Sequence, residues 1–510
     1  MPFRNEVVPL RVLGENTFSE HFARSWEEYW INGQRDGRFL QILRFIPHCV
    51  ANTIIVKILK FYINNGSPKD CRICDLLAAF SVVDLTILDL TSLVKIGSRD
   101  DDQIKLFERT VLTWLPDLRK LTTLNLKTHS LQTTLPICSD DLLQGIGSYL
   151  KNLRVLDISG NNLVTDYGLE YLLPCNGSGC PLLEEIFVFD CSVTVEGIAY
   201  VVENLCNLRM VGYKEMGEVM KYLHKKLKGE NSTKLQERLK LTHINNLGSS
   251  GFLRFECNMK LIDAMTSLCP KLLNLKVRVT DKNVPFLQIF DKLKVLELFY
   301  YEKIPLIHEG SASYFRISGH QLYSLSLTAS TFYSRYFLVI GEGCLNLQKF
   351  WFTCYSIILD LEFDQIQNHD VFRSLDTLYF RIGFSESETH ELSLPIFKYI
   401  LQNTSQLSDL RIISRSPTLT DLWLKRFWKC FKTGKLVKVL IALPYLNVNK
   451  KSLPLTMLSV NLILEQSPCL QYLGNLLVWD ITYQEVKNLK TYLNMCNFNV
   501  NLVYHQMKIK

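Results

Sequence analysis

Short runs in which aliphatic residues alternate with other residues recur along the chain. Each run has the spacing Leu-x-x-Leu-x-Leu, whose last two aliphatic side chains point to the same side of a β-strand. The clearest copy, LRVLDISGNNL, extends from Leu153 to Leu163. Further copies begin at Leu85, Leu121, Leu183, Leu208, Leu272, Leu293, Leu322, Leu347, Leu375, Leu407 and Leu436. Most successive copies start roughly 20 to 36 residues apart, which predicts an array of short repeated units.

Two weaker copies complete the array. The gap between the copies at Leu208 and Leu272 is long enough for two units, and the pair Leu241 and Ile244 fits a hidden copy within that gap. The pair Leu470 and Leu473 fits a degraded copy near the end of the array. With these two, the sequence predicts about 12 to 14 units of one strand each.

Between the strands the apolar spacing changes to that of a helix. Thr165, Thr194 and Thr420 each precede such a segment and are predicted to cap it. After Thr420, for example, Leu424 and Phe427 belong to a stripe with i, i+3, i+4 and i+7 spacing. Strands that alternate with helices predict a parallel sheet, and one unit cannot bury its apolar face without stacking on the next.

We therefore predict an α/β leucine-rich-repeat solenoid. It would be a horseshoe with parallel strands on the concave face, helices on the convex face and an N-terminal helical cap. The predicted boundaries are an N-terminal helical region over 1–80, the solenoid over 81–480 and a C-terminal cap over 481–510.

Several units resemble the cysteine-containing class of leucine-rich repeats, whose consensus combines C-x-x-L-x-x-L-x-L-x-x-C with I-T-D-x-G-L-x-x-L. The matching residues of the second element are Val164, Thr165, Asp166, Gly168, Leu169 and Leu172. The matching residues of the first element are Cys180, Pro181, Leu183 and Cys191, with partial copies at Cys269-Pro270 and at Cys344 and Cys354. The resemblance covers roughly residues 80–480, and the units after Leu293 lack the T-D-x-G-L element.

This repeat class is best known from F-box substrate receptors of cullin-type ubiquitin ligases, so the resemblance implies a receptor role. An F-box is a helical segment ahead of the repeats. The amphipathic segment FLQILRFIPHCVANTIIVKILKFYI, followed by CDLLAAF, has that position, but its middle does not match and no Trp follows before Trp114. Two readings stay open: helices that bind a cullin adaptor, or a helical cap that covers the first repeat.

Composition agrees with a folded, non-secreted chain. Hydrophobic residues make up 47% of the 510 residues, and 57 Lys and Arg against 50 Asp and Glu give a mildly basic net charge of +7. The first residues lack a signal peptide, and no apolar run is long enough to cross a membrane. The 15 Cys are then expected to be reduced and buried in a cytoplasmic or nuclear protein.

Catalytic, cofactor and metal sites are not predicted. The chain has no P-loop, G-x-G-x-x-G, H-E-x-x-H or G-x-S-x-G motif. The single C-x-x-C, Cys71 to Cys74, lacks the second ligand pair of a zinc site. Lysines cluster on a segment near Lys225 and again beside the aromatic stripe that contains Trp428. The spacing of those aromatic residues is that of a core-facing stripe, and the lysines fall mostly off it, so we interpret them as a solvated helix face rather than a nucleic-acid site.

A protein ligand is expected on the concave face. Strand residues between the buried aliphatic positions would point to solvent there and form rows across neighbouring units. The predicted binding residues are Glu185, Phe187, Phe189, Lys276, Arg278, Glu297, Phe299, Lys349, Trp351, Tyr379, Arg381 and Arg411. Large aromatic and Arg side chains are typical of binding hot spots, and the basic members indicate a ligand of acidic character.

Two alternatives to that face stay open. A register shift of one residue would exchange the two faces of every strand, and the irregular C-terminal repeats could fold over some of the aromatic residues. The predicted function is a non-catalytic protein-interaction module, either the substrate-recognition subunit of a ubiquitin ligase or a repeat scaffold without a ligase link.

Overall fold

The structure is a computed structural model. It describes residues 85–91, 108–109, 111–128, 137–175, 177–227, 239–245, 257–300, 309–361, 371–383, 394–402, 404–414, 419–430, 434–443, 453–496 and 498–504. The predicted N-terminal helical region, its F-box-like segment and the pair Cys71 and Cys74 lie outside the described residues.

The chain divides into two compact units, with six described strands in the N-terminal unit and nine in the C-terminal unit. The N-terminal unit contains β1 (Ile87–Asp89), β2 (Thr123–Asn125), β3 (Val155–Asp157), β4 (Glu185–Phe187), β5 (Met210–Gly212) and β6 (His243–Asn245). Each of these strands pairs in parallel with the next one along the chain. The helices between them are Asp140–Tyr149, Asp166–Glu170, Val195–Asn204 and Met216–Leu227, with a 3-10 helix at Leu115–Asp117.

The C-terminal unit repeats the same order with longer strands. Its strands are β7 (Asn274–Val279), β8 (Val295–Tyr300), β9 (Ser324–Tyr333), β10 (Lys349–Ile358), β11 (Thr377–Ile382), β12 (Asp409–Ser414), β13 (Lys438–Ala442), β14 (Tyr472–Gly474) and β15 (Asn501–Val503). All consecutive pairs from β7 to β15 are parallel.

Helices connect most of these strands. They are Glu309–Ser318, Arg335–Gly343, Leu394–Leu401, Asp421–Cys430, Met457–Gln466 and Tyr483–Met495, with 3-10 helices at Asp281–Ile289, Gly319–Gln321 and Leu476–Val478. One more helix, Met259–Leu268, is divided between the two units at Ile262 and Asp263.

The repeated aliphatic residues form the core, as the sequence predicts. Residues at one position of the repeat stack across neighbouring strands and are almost completely buried. In the N-terminal unit the stack is Leu88, Leu124, Leu156, Ile186, Val211 and Ile244, and in the C-terminal unit it begins Leu275, Leu296, Leu325, Phe350 and Leu378. Burial of each such side chain contributes roughly 1.5 to 3 kcal/mol, so the stack is the main driving force for the fold. Both units are leucine-rich-repeat solenoids.

The predicted helix caps are confirmed. The Thr165 hydroxyl accepts a hydrogen bond from the backbone N–H of Tyr167 at 3.3 Å, and the Thr194 hydroxyl accepts one from Gly197 at 3.1 Å. The Thr420 hydroxyl accepts one from Trp423 at 3.2 Å. Each cap satisfies a backbone donor that the first turn of a helix leaves without an intrahelical partner.

An aspartate in one repeat also holds the capping residue of the next. Asp140 accepts hydrogen bonds from the backbone N–H and the hydroxyl of Thr165 at 2.8 and 2.6 Å. Asp166 accepts the equivalent pair from Thr194 at 2.8 and 2.6 Å. Asp421 and Thr456 repeat the arrangement at 2.9 and 2.7 Å. We call this contact the aspartate clasp.

The clasp explains the glycine of the T-D-x-G element. A Cβ atom on Gly197 would lie 2.0 Å from Oδ1 of Asp166, and a Cβ on Gly168 would lie 2.2 Å from Oδ1 of Asp140. A side chain at either position would collide with the aspartate of the preceding repeat. Glycine therefore makes room for the aspartate at the first two clasps, whereas at the third Ser459 occupies the equivalent position and donates its hydroxyl to Oδ1 of Asp421.

Candidate protein-binding face

The twelve predicted binding residues occupy two sets of positions, three in the N-terminal unit and nine in the C-terminal unit. All nine of the second set lie at positions of β7 to β12 that alternate with the buried core residues. We call the side of these strands opposite the core the strand face.

The strand register arranges the strand face of the C-terminal unit in three parallel rows. The middle row reads Lys276, Glu297, Ser326, Trp351, Tyr379, Arg411, Leu440 and Gly474. One flanking row reads Arg278, Phe299, Thr328, Thr353, Arg381, Ile413 and Ala442. The other reads Asn274, Val295, Ser324, Lys349, Thr377, Asp409, Lys438 and Tyr472. Five of the nine predicted residues therefore share one row.

Trp351 is a large aromatic side chain that lies exposed on this face. It is 41% exposed, and its ring contacts that of Tyr379 with the centroids 5.7 Å apart. Tyr379 itself is only 9% exposed and belongs to a cluster of buried residues with Ile413 and Ala442. Trp351 is thus accessible to a partner, whereas Tyr379 packs beside it on the neighbouring strand.

Tyr355 extends the accessible aromatic surface along β10. It continues the alternation that starts with Trp351 and Thr353, and it is 47% exposed. It is not among the predicted residues, because the repeat consensus ends before this position. The strand signal that could have found it is the continued alternation of WFTCY from Trp351.

The strand face of β9, between β8 and β10, carries small hydroxyl side chains at Ser324, Ser326 and Thr328. In the middle row Ser326 lies between Glu297 and Trp351, and in the flanking row Thr328 lies between Phe299 and Thr353. Their hydroxyls can donate or accept hydrogen bonds.

The charges on this face are unequal. Its strand positions carry six basic residues, at 276, 278, 349, 381, 411 and 438, and two acidic residues, at 297 and 409. Lys276 forms an ion pair with Glu297 at 2.9 Å, and Arg411 forms one with Asp409 at 2.6 Å. Both carboxylates are therefore neutralised, and the face has a positive balance.

The side chain of Arg411 is also held by its own strand. Its Nε donates to Oδ1 of Asp409 at 2.9 Å, and its Nη2 donates to Oδ2 at 2.6 Å. The hydrogen bonds that the Arg411 guanidinium donates to Asp409 raise its pKa above the ordinary value. This bidentate contact fixes a cation at the end of the aromatic pair.

The predicted residues of the N-terminal unit form a second, smaller group. Glu185 and Phe187 lie at strand-face positions of β4, and Phe189 lies in the turn that follows; all three are half-buried. A Cβ on Gly212 of β5 would lie 2.5 Å from the Phe187 ring and 2.8 Å from the Phe189 ring. Gly212 therefore leaves the space that both rings occupy.

His243 lies beside this group, in the same row as Glu185 and Met210. Burial lowers the pKa of its imidazole below the ordinary value near 6.5, the nearby charge of Arg209 lowers it further, and the charge of Glu185 opposes both. His243 is therefore expected to be neutral in the folded chain at physiological pH.

The cysteines of the repeat units are core residues. Burial raises the pKa of the Cys180, Cys191 and Cys269 thiols to about 12, so these thiols stay protonated and weakly nucleophilic at neutral pH. Among the described residues, no group of three or more His, Cys, Asp and Glu is placed to hold a metal ion. None of the helices in the described ranges has the length and apolar character needed to cross a membrane.

Comparison with known proteins gives only distant likenesses. No protein-family model matches the chain, and no curated protein matches it. Among solved structures, a chain from the yeast Rad7 and Elc1 complex aligns with a TM-score of 0.38 at 15% identity, over 82% of this chain and 87% of that one. An LRR protein of Leptospira interrogans aligns with a TM-score of 0.31 at 14% identity, over 87% of this chain and 98% of that one. The class of the protein, a leucine-rich-repeat solenoid, is defined by its own strand order and register.

Proposed function

We propose that this protein is a protein-interaction module whose strand face in the C-terminal unit binds an extended, acidic segment of a partner. The observation that carries the proposal is the accessible ring of Trp351, which lies beside the small hydroxyl side chains of β9 on a face of positive charge. A large exposed aromatic side chain on a rigid strand is a typical binding hot spot. An acidic segment complements the excess of Lys and Arg and is attracted to it before contact.

The proposed contacts differ in their roles. The Trp351 ring would supply the apolar anchor, and Ser326 and Thr328 would bond the backbone of the bound segment. Lys349, in the row beside Trp351, would attract a carboxylate; its ammonium lies 5.6 Å from the centre of the Tyr323 ring. Parallel strands hold all of these side chains, so little conformational entropy is lost on binding.

The test is quantitative affinity purification with the full-length chain carrying single substitutions. Trp351→Ala removes the anchor and is expected to weaken capture of a direct partner about thirtyfold, the effect of a hot spot worth about 2 kcal/mol. Lys349→Glu reverses one charge and should weaken capture of an acidic partner most at low salt. Leu458→Ala is the matched control, because Leu458 is a large apolar residue exposed on a helix of the same unit.

The outcome is decided by which partners each variant retains and which it loses. Partners that the wild type and Leu458→Ala retain, and that Trp351→Ala and Lys349→Glu lose, support the strand face as the binding site. Equal recovery of every partner by all four chains contradicts the proposal. Recovery lost only with Lys349→Glu would mean that charge acts without the aromatic anchor, and would contradict the role given to Trp351.

The ubiquitin-ligase role is a finer form of the same proposal. It depends on the segment over residues 36–80, which lies outside the described residues, and its support is the resemblance of the repeats to those of F-box receptors. Deletion of residues 36–80 is expected to abolish recovery of a cullin adaptor and to leave strand-face partners bound. A wild-type chain that recovers partners without any cullin adaptor would favour the scaffold alternative.

A further inference from the structure

The helix side of the N-terminal unit carries a second surface with chemistry opposite to that of the strand face. Exposed tyrosines lie on or beside four consecutive helices of this unit, at Tyr149, Tyr167, Tyr171, Tyr200 and Tyr222. Tyr171 and Tyr200 each lie six residues after a capping threonine, Thr165 and Thr194, so they occupy the same position in consecutive repeats. Tyrosine on an accessible surface is, with Trp and Arg, the residue most enriched in binding hot spots.

The tyrosines of the first three helices lie among carboxylates, whereas Tyr222 lies on the helix Met216–Leu227 beside Lys221, Lys225 and Lys226. The three helices Asp140–Tyr149, Asp166–Glu170 and Val195–Asn204 contain six acidic residues and no Lys or Arg. Asp140 and Asp166 are used in the aspartate clasp, and Glu203 forms an ion pair with Lys226 at 2.7 Å. The other three, at 141, 170 and 196, form no salt bridge with any residue of the described ranges.

A cleft between two of these helices combines both features. Its volume is about 230 Å³, its apolar lining includes Leu169 and Val201, and Glu170, Glu196 and Tyr200 also line it. That volume is smaller than the roughly 300 to 1,000 Å³ of pockets that enclose small molecules. A single long side chain is the better fit, and negative charge beside a ring selects a cation.

We infer that this cleft is a docking site for an Arg or Lys side chain presented by an extended basic segment of a partner protein. The aliphatic part of the bound side chain would lie along the exposed Tyr200 ring, above the nearly buried Leu169 and Val201. Its charged group would lie between the Glu170 and Glu196 carboxylates. Tyr171, at the position equivalent to Tyr200 in the preceding repeat, would contact the flanking residues of the segment.

Charge complementarity decides between classes of partner. Nucleic acids and anionic lipid headgroups would be repelled by a surface with six carboxylates and no basic residue on its three helices. A basic protein segment is attracted to it. The inference does not depend on the proposed function of the strand face, because every residue of the cleft lies in the N-terminal unit and on its helix side.

The experiment selects ligands from a displayed library of random 12-residue peptides on the full-length protein. Peptides are then counter-selected on the Glu170→Gln/Glu196→Gln double variant, which keeps the shape of both side chains and removes their charge. Enriched peptides are expected to contain Arg or Lys. The best of them should bind the double variant about tenfold more weakly, the effect of losing two exposed ion pairs, and Tyr200→Ala about threefold more weakly.

Three controls make the result specific. A synthetic peptide with citrulline, the neutral analogue of Arg, should bind the wild type about tenfold more weakly than the Arg peptide. Glu465→Gln/Asp480→Asn removes two exposed carboxylates outside the cleft and should leave binding unchanged. Trp351→Ala should leave it unchanged as well, which separates this site from the strand face.

The inference is overturned by any of four results. These are no enrichment above the double variant, enriched peptides that lack basic residues, equal binding of the citrulline peptide, or equal weakening by Glu465→Gln/Asp480→Asn. The last result would show general attraction to a negatively charged protein. Circular dichroism of each variant confirms that the fold is kept, which is expected because the substituted side chains are exposed.

Discussion

Replacement of Asp281 by Ala should destabilise the C-terminal unit more than any replacement of a surface aspartate. Asp281 is almost fully buried at the start of the 3-10 helix Asp281–Ile289. Its carboxylate accepts hydrogen bonds from the backbone N–H of Gly310 at 3.0 Å and of Ser311 at 2.9 Å, and from the Ser311 hydroxyl at 2.5 Å. The Ser311 hydroxyl also lies 2.9 Å from the Tyr300 hydroxyl. One carboxylate thus joins two consecutive repeats through a small buried network.

The magnitude follows from the three donors that lose their acceptor. A hydrogen bond to a charged group contributes about 1.5 kcal/mol or more, and a buried donor without a partner adds a desolvation cost. The carboxylate also lies at the N-terminus of the Glu309–Ser318 helix, where negative charge contributes about 0.3 to 1 kcal/mol. Asp281→Ala should therefore lower the free energy of unfolding by about 3 to 5 kcal/mol.

Urea denaturation followed by circular dichroism measures the loss, and hydrogen exchange assigns it. With a slope of about 2.5 kcal/mol per molar urea, the midpoint of the affected transition should fall by about 1 to 2 M. Amide exchange in the Glu309–Ser318 helix should accelerate most, because Ser311 and Gly310 lose their acceptor. Asp281→Asn keeps one acceptor oxygen without the charge and should give a smaller loss.

Asp291→Ala is the control, because Asp291 is an exposed aspartate ten residues along the same chain segment. It should change the free energy of unfolding by no more than about 0.5 kcal/mol. A shift with Asp281→Ala that equals the control shift, or unchanged exchange at Ser311, would refute the inter-repeat role of the Asp281 carboxylate.

Three further predictions follow from the same structure. Gly197→Ala should lower the free energy of unfolding of the N-terminal unit by about 1 to 3 kcal/mol in urea denaturation, because the new Cβ collides with Asp166. In the double variant with Asp166→Ala the collision partner is gone, so the loss of free energy should be smaller than the sum of the two single losses. Additive losses would contradict this explanation. The pKa of His243 is lowered on folding, so the unfolded chain binds more protons below pH 6.5 and the free energy of unfolding should fall as pH drops through that region. His243→Gln should flatten that part of the pH profile of stability. A variant profile identical to that of the wild type would contradict the role given to His243. The exposed Cys175 and Cys206 should be alkylated by iodoacetamide before any buried repeat cysteine when modified peptides are mapped by mass spectrometry; early modification of the buried thiols would be inconsistent with their position in the core.

The strands were predictable because their signal is local. Six residues of a repeat suffice to identify a strand, and even the hidden copy at Leu241 and Ile244 is confirmed as β6. β15 escaped prediction because Asn499 stands where the preceding repeat has Leu470, so only Leu502 marks it. The strand–helix alternation therefore continues through residues that the sequence assigned to a C-terminal cap.

The clasp was not predictable in the same way. The motif around Thr165 and Asp166 was visible, but the partner of each aspartate is a residue of the next repeat, 25 to 38 positions away. That separation varies with the length of each repeat. A motif within one repeat therefore reveals which residues are special without revealing what they contact, and Asp281 makes similar contacts although its T-D pair, Thr280 and Asp281, lacks the glycine.

Exposure on the strand face also needed the three-dimensional structure. Alternation places Tyr379, Ile413 and Ala442 opposite the core, yet all three are buried, as is Leu440 in the middle row. A local signal existed, because apolar residues at strand-face positions of consecutive strands indicate a covered surface. The predicted row of binding residues did not use that signal.

The buried strand-face residues also limit where a partner can bind. On β12 and β13 two of the three rows carry the buried residues Ile413, Leu440 and Ala442, and the third row carries the partly exposed Asp409 and Lys438. On β9 and β10 the equivalent positions carry hydroxyls and the exposed Trp351. A ligand anchored on the Trp351 ring would therefore lie over β9 and β10, away from the buried residues of β12 and β13. This is why Trp351, and not the more central Tyr379, is the side chain whose removal should cost the most affinity.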